Sequence, residues 1–116
     1  MTFKKYKNQR GSILELDILP NNKIQGNFIT AVASKECQSV IGKKQSIIGF
    51  WTGNAITFSV VYDQCGSLYS VTGNFDMEQN TIDVIGLINH QSNDIAGQDC
   101  GTRFIAHDIY TAIDHL

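Results

Sequence analysis

Polar and apolar side chains alternate along most of the chain, as they do in β-strands that bury one face. Between Ile56 and Tyr62 every second side chain is apolar or aromatic, with Thr57 and Ser59 on the opposite face. Six further runs of strand character cover residues 12–18, 23–32, 46–51, 67–75, 81–88 and 103–110. Turn-forming residues separate these runs. The pattern predicts seven strands, with polar loops at residues 34–44 and 89–97 and no convincing helix.

Short links between consecutive strands favour an antiparallel up-and-down meander. Closing such a sheet removes its exposed edges, and about eight strands enclose room for one small ligand. The eighth strand is supplied either by residues 3–8 or by a split C-terminal tail, where residues 111–116 could also form a helical turn. We therefore expect one all-β domain over residues 1–116, an eight-stranded antiparallel up-and-down β-barrel.

Composition excludes several classes of partner. The chain has 116 residues, 42% hydrophobic and 17% charged, with a net charge of −2. Without a dense basic patch, neither nucleic acid nor an anionic membrane is expected as a partner. Lys4, Lys5, Lys7 and Arg10 are expected to form a solvated end. No apolar run is long enough to span a membrane, and a signal peptide is either absent or already removed.

The titratable side chains show no catalytic or metal-binding pattern. His90, His107 and His115 lack the spacing of metal ligands, and His90 is expected at the surface. His107 and Asp108 are adjacent on a strand, so their side chains point to opposite faces. Cys100 has no electropositive neighbourhood that would activate its thiol. We therefore expect no enzymatic activity, no catalytic residue, no metal site and no cofactor.

The three cysteines, Cys37, Cys65 and Cys100, cannot all pair within one chain. One disulfide with a spare thiol would favour an oxidising compartment. Three reduced and buried cysteines would instead suit the cytosol, and the sequence leaves both alternatives open.

A few polar side chains share the inward faces of the predicted strands. Ser12 begins the face of Leu14 and Leu16, while Glu15 lies on the opposite face. The other inward polar residues are Asn8, Thr30 and Ser67. Such groups either bond one another or a buried water, or they converge as donors on a ligand carbonyl. The second alternative predicts a ligand site inside the barrel.

Five segments with this arrangement resemble the avidin/streptavidin family of biotin-binding barrels. They are residues 8–12 (NQRGS), 26–32 (GNFITAV), 48–51 (IGFW), 56–62 (ITFSVVY) and 71–75 (VTGNF). Their order and spacing resemble the family pattern from about Asn8 to Leu87. The resemblance implies an eight-stranded antiparallel barrel, with biotin as a ligand at its open end.

Several polar positions match the family's contacts to the biotin head group. Asn8 and Ser12 match donors to the ureido oxygen, and Thr30 matches the hydroxyl that bonds a ureido nitrogen. Asp99 resembles the carboxylate that accepts the second ureido N–H, with Arg103 as the rival for that position. The resemblance therefore implies hydrogen bonds to both sides of a cyclic urea.

The walls of the site depart from the family pattern. Phe28 stands in the place of a tyrosine donor and lacks its hydroxyl. Tyr62 and Gly86 stand where wall tryptophans are usual, and Val71 replaces another wall aromatic. Tyr69 replaces a threonine that bonds the thioether sulfur. These five residues are still expected to line the site.

Ser67 matches a serine that contacts the ligand's carboxylate arm in many members of the family. The departures in the walls nevertheless imply a weakened affinity for biotin. A lost donor or aromatic anchor costs about 1–4 kcal/mol, so two or three losses lower affinity by roughly four to eight decades. Alternatives are an avidin-fold scaffold that has lost biotin and meets a protein partner, or a carrier of another small ligand.

The cysteines add an expectation about assembly. Cys37 and Cys65 fall where the dimeric bacterial branch of the family carries a disulfide. Trp51 is the only tryptophan, so the loop tryptophan that tetrameric members donate to a neighbour has no counterpart. The resemblance implies a Cys37–Cys65 disulfide, a homodimer and a secreted or periplasmic location.

Overall fold

Eight antiparallel strands close into a barrel in which each strand pairs with its sequence neighbours and β1 pairs with β8. The computed structural model describes residues 2–33, 35–91 and 103–113. The strands are β1 (Thr2–Lys7), β2 (Ile13–Leu19), β3 (Lys23–Ile29), β4 (Lys44–Thr52), β5 (Ala55–Tyr62), β6 (Ser67–Asp76), β7 (Thr81–His90) and β8 (Arg103–Ala112). The predicted all-β, up-and-down barrel is confirmed.

The eighth strand comes from the N-terminus. β1 pairs with β2 from Thr2 opposite Ile18 to Lys7 opposite Ile13, and it closes the barrel by pairing Tyr6 with Ala112. The alternative of a split tail is wrong, because the tail continues β8 to Ala112. The predicted helical turn is likewise absent at residues 111–112, and residues 114–116 lie outside the described part of the chain.

Two short 3₁₀ helices interrupt the pattern that predicted no helix. One covers Lys35–Val40 within the predicted polar loop, and the other covers Asp63–Cys65 between β5 and β6. A disulfide joins Cys37 to Cys65, with Cα atoms 5.7 Å apart, so it ties the two helices together. The expected pairing of these cysteines is confirmed. No helix among the described residues is long and apolar enough to cross a membrane.

The alternating side chains form a continuous apolar core inside the barrel. Its most deeply buried members come from seven of the eight strands: Leu14, Leu16, Ile24, Ile47, Ile56, Phe58, Val60, Val71, Ile82, Val84 and Tyr110. Trp51 packs against this core and donates its indole N–H to the Leu19 carbonyl at 3.0 Å. The turns at residues 20–22, 53–54 and 77–80 all lie at this end, which we call the closed end.

One charged residue on the outer face is buried. Glu15 lies on the face opposite Leu14 and Leu16, as predicted, but Lys5 and Lys44 cover it there, with N–O distances of 3.3 and 3.2 Å. Burial alone would raise the pKa of Glu15, but the hydrogen bonds from Lys44 and Lys5, with one from Asn27, lower it below its ordinary value. Lys5, which was predicted to belong to a solvated end, keeps 35% of its side chain exposed while its ammonium group pairs with Glu15.

The strands leave the sheet at the opposite, open end. β3 stops at Ile29, so the predicted extension of that strand to Val32 is wrong, and Val32 is exposed. The β1–β2 turn, the segment after β3 and the 3₁₀ helix after β5 gather here. The two 3₁₀ helices and their disulfide therefore border the mouth of the barrel.

Candidate functional site

A cavity of about 500 Å³ occupies the open end of the barrel. Seven of the residues predicted to contact a ligand line it: Asn8, Ser12, Phe28, Thr30, Tyr62, Ser67 and Tyr69. Val71 and Gly86 are buried and face inward, but they pair with each other one layer deeper and do not line the cavity. Asp99 lies outside the described residues. The prediction of a partly polar interior cavity thus fits the described structure.

The β1–β2 turn orients two donors towards the cavity. The Asn8 side-chain oxygen accepts the backbone N–H groups of Arg10 and Ser12, both at 3.0 Å. The Ser12 hydroxyl oxygen accepts the Ala31 backbone N–H at 2.9 Å. Because these acceptors are engaged, the Asn8 amide NH₂ and the Ser12 hydroxyl hydrogen are the groups left to donate. A bound carbonyl oxygen is the natural acceptor for such a pair.

Thr30 and Tyr62 form a hydroxyl pair on the adjoining wall. Their oxygen atoms lie 2.5 Å apart, and Thr30 is buried while Tyr62 is half-buried. Burial raises the pKa of Tyr62, although the bond from Thr30 opposes this rise. Tyr62 is therefore a neutral hydroxyl at physiological pH, and the pair can both donate and accept.

Asp108 is a buried carboxylate in the cavity that the sequence analysis did not assign to the site. Its side chain is 2% exposed, and Oδ1 accepts hydrogen bonds from Arg10 and, at 3.1 Å, from Gln9. The Tyr69 hydroxyl donates to Oδ2 at 3.3 Å. His107 is exposed, so the prediction that it and Asp108 point to opposite faces is confirmed.

The contact with Asp108 also corrects the prediction for Arg10. Arg10 was placed in a solvated basic end, but it lies over the buried carboxylate and lines the cavity. Asp108 shares the inward face of β8 with Ala106 and Tyr110. This alternation was the sequence signal that could have identified Asp108 as a site residue. The poor alternation of β8 concealed it.

A chain of hydrogen bonds links Tyr69 and Asp108, which line the cavity, to Tyr110, which is buried beneath it. Tyr69 and Tyr110 have hydroxyl oxygens 2.9 Å apart. Burial is the main cause that raises the pKa of both tyrosines, that of Tyr110 to about 12. Since a carboxylate only accepts, the donor order runs from Tyr110 through Tyr69 to Asp108.

The cavity rim holds a second polar pair. His90 was expected at the surface, but it is half-buried, lines the cavity and places its Nδ1 in hydrogen-bond contact with the Ser67 hydroxyl. The His90 ring meets Phe104 edge-on, with centroids 6.2 Å apart. The prediction for His90 was wrong because β7 continues to this residue instead of ending at residue 88.

The site as a whole offers both hydrogen-bond donors and hydrogen-bond acceptors. Asn8 and Ser12 can bind a carbonyl oxygen, whereas Asp108 and the hydroxyl pair can bind N–H groups. No group of three His, Cys, Asp or Glu side chains among the described residues could hold a metal ion. The geometry suits a small neutral group that presents a carbonyl flanked by N–H.

The same fold and sequence pattern occur in known proteins. The sequence model of the avidin family matches residues 2–113, nearly the whole chain. The chain belongs to the avidin family. Among curated protein sequences, none is significantly similar to this avidin.

Solved structures of other avidins share the barrel at low sequence identity. A rhizavidin–biotin complex is 16% identical with a TM-score of 0.81, covering 100% of this chain and 95% of that chain. A bradavidin2–biotin complex is 22% identical with a TM-score of 0.74, covering 95% of each chain. Intact afifavidin in its apo form is 22% identical with a TM-score of 0.81, covering 100% of this chain and 84% of that chain. These similarities establish the fold.

Proposed function

We propose that this avidin binds biotin non-catalytically in the cavity at the open end of its barrel. The observation that carries the proposal is the convergence of Asn8, Ser12, Thr30 and Asp108 on that cavity. Asn8 and Ser12 can donate to a carbonyl oxygen, and Thr30 and Asp108 can each accept an N–H group. This set matches a cyclic urea, which has one carbonyl between two N–H groups. Rhizavidin and bradavidin2, whose structures are biotin complexes, share the barrel.

Asp108 takes the role that the sequence analysis gave to Asp99. Its carboxylate lines the cavity from β8, the strand that pairs with β1. Oδ2 accepts one bond from Tyr69, which leaves a lone pair for a ligand N–H. Thr30, whose hydroxyl is paired with Tyr62, would accept the other N–H.

The affinity is proposed to be weaker than that of the tightest biotin binders. The hydroxyl of Thr30 and both oxygens of Asp108 already have protein partners, so a ligand gains less from them. Trp51, the only tryptophan, lies at the closed end and contributes no wall to the cavity. Aromatic anchors of that size are typical of the strongest binding sites.

Titration calorimetry with biotin tests the proposal. We expect measurable binding by the wild type and a loss of about 10- to 150-fold in Asp108→Asn, because a hydrogen bond to a charged group contributes about 1.5–3 kcal/mol. Asp17→Asn removes the same charge from the outer face of β2 and should leave the affinity within about twofold.

Two results would overturn this function. The absence of both heat and a shift in melting temperature at millimolar biotin would favour a scaffold or a carrier of another ligand. Equal effects of Asp108→Asn and Asp17→Asn would show that the ligand does not contact the cavity carboxylate.

We also propose that two copies associate through the outer face of β6–β8. Apolar side chains are exposed there on three adjacent strands: Leu68, Ile85, Leu87, Ile105 and Ile109. A contiguous apolar surface of this kind favours self-association.

In sedimentation velocity, Ile105→Glu should shift the dimer towards monomer, whereas Ile48→Glu on β4 should not. Ile48 is the matched control because the two side chains are 77% and 72% exposed. A wild type that sediments as a monomer would refute the dimer.

Export from the cytosol completes the proposal. The Cys37–Cys65 disulfide supports it, because disulfides persist mainly in oxidising compartments. Fractionation of the native cells should place the protein outside the cytosol, and recovery in the cytosolic fraction with free thiols would contradict export.

A further inference from the structure

Tyr69 lies at the deep end of the cavity, where it packs against two other aromatic rings. Its ring centroid lies 5.4 Å from that of Phe28 and 6.4 Å from that of Phe58. The ring lies directly over Gly86, where a Cβ atom would come within 2.6 Å of the Tyr69 Cε1 atom. Only a glycine at position 86 leaves room for the ring in this orientation. These contacts oppose a movement of the Tyr69 ring out of its position.

The Tyr69 hydroxyl shares the only part of the Asp108 carboxylate that a ligand could use. Oδ1 of Asp108 already accepts from Arg10 and Gln9, whereas among the described residues Oδ2 accepts from Tyr69 alone, at 3.3 Å. A ligand N–H bound to Oδ2 must lie against the phenol. Any group fused to that side of the ligand would overlap the volume that the Tyr69 ring occupies.

We propose that Tyr69, seated on Gly86, is the specificity-determining residue that restricts the ligand to a single-ring cyclic urea. The preferred ligand carries its aliphatic tail on that one ring and has no second ring fused to it. This inference rests on the proposed function, since it assumes a cyclic urea in the cavity. Biotin, which carries a fused sulfur ring, then binds less tightly than a cyclic urea that has only one ring.

Competing titrations of biotin and dethiobiotin test this inference. Dethiobiotin carries the same urea and acid tail but lacks the sulfur ring. We expect the wild type to bind dethiobiotin at least as tightly as biotin. Tyr69→Ala opens the floor and should shift the ratio of the two affinities towards biotin by at least about tenfold, the usual scale for fitting a few extra atoms in a pocket. Tyr69→Phe keeps the ring and should keep the wild-type ratio.

The outcomes separate this inference from the proposed function. A wild type that prefers biotin by more than about tenfold overturns the inference alone, and it needs no variant that might not fold. An unchanged ratio in a folded Tyr69→Ala also overturns it alone. A wild type that binds neither compound overturns the proposed function together with the inference.

Discussion

The two ends of the barrel use the same alternating strands for opposite purposes. At the closed end the inward side chains are apolar, such as Ile56, Phe58 and Ile82, and Trp51 packs beneath them. At the open end inward positions carry Ser12 and Asp108, with polar partners inside the barrel. One end stabilises the fold by removing apolar surface from water. The other keeps polar groups buried by bonding them, and its remaining donors and acceptors are available to a ligand.

The aromatic layer formed by Phe28, Phe58 and Tyr69 is the boundary between the two ends. Phe58 faces the core and does not line the cavity, whereas Phe28 and Tyr69 do. Stability should therefore be lost most sharply by changes on the closed side of this layer, and binding by changes on the open side. Three experiments on stability test that division.

The largest effect is expected from Phe58→Ala. Phe58 is 1% exposed, and deleting a buried phenylalanine side chain costs about 3–5 kcal/mol because a cavity remains. Urea unfolding at neutral pH would measure the loss. Phe50→Ala is the matched control on the outer face of β4, where the side chain is 57% exposed, and it should cost less than about 1 kcal/mol. Similar losses in both variants would contradict the assignment of the core.

The closed end was also the part that the sequence predicted best. Alternation between Ile56 and Tyr62 depends only on neighbouring residues, so it identified the strand and its inward face correctly. The same reasoning placed Ser12 and Thr30 inside the barrel. Alternation does not predict the burial of Glu15 on the outer face, because Lys5 and Lys44, which cover its carboxylate, lie on other strands.

The open end was predicted less completely because its partners are distant in sequence. Arg10 and Asp108 are 98 residues apart, and only closure of β1 against β8 brings them together. Tyr69 and Gly86 each looked like a departure from the family pattern, yet the ring of one occupies the space left by the other. His90 enters the site because β7 extends two residues beyond its predicted end. Local patterns carry no information about such pairs.

The second experiment removes the covalent tie at the open end. Cys37 and Cys65 are 28 residues apart, and closing such a loop stabilises the folded state by about 3.6 kcal/mol in the chain-entropy account. Cys37→Ser with Cys65→Ser should lower the free energy of unfolding by about that amount in urea. Reductant should lower the wild type to the same level and leave the double variant unchanged. A double variant as stable as the oxidised wild type would contradict this contribution.

The smallest effect separates the two ends by pH. Tyr110 has a pKa raised to about 12 by burial at the open end, whereas Phe58 has no titratable group. Because the pKa of Tyr110 is higher in the folded protein, the stability that this group contributes is fully present below about pH 10, its pKa in the unfolded chain. That contribution is lost as the pH rises from about 10 towards 12. In that window the unfolded chain releases the Tyr110 proton that the folded chain retains. Each such tyrosine steepens the loss by about 1.4 kcal/mol per pH unit.

Tyr110→Phe should therefore unfold in urea with a shallower pH dependence between pH 10 and 12. The slope of the free energy of unfolding against pH should become shallower by the contribution of one proton, about 1.4 kcal/mol per pH unit. Between pH 7 and 9 the slopes of the variant and the wild type should coincide. Phe58→Leu, a substitution at the closed side of the aromatic layer, should lower stability equally at every pH. Equal slopes for Tyr110→Phe and the wild type above pH 10 would show that Tyr110 ionises in the folded barrel as it does in water. The polar floor of the cavity would then be accessible to solvent instead of sealed between the two ends.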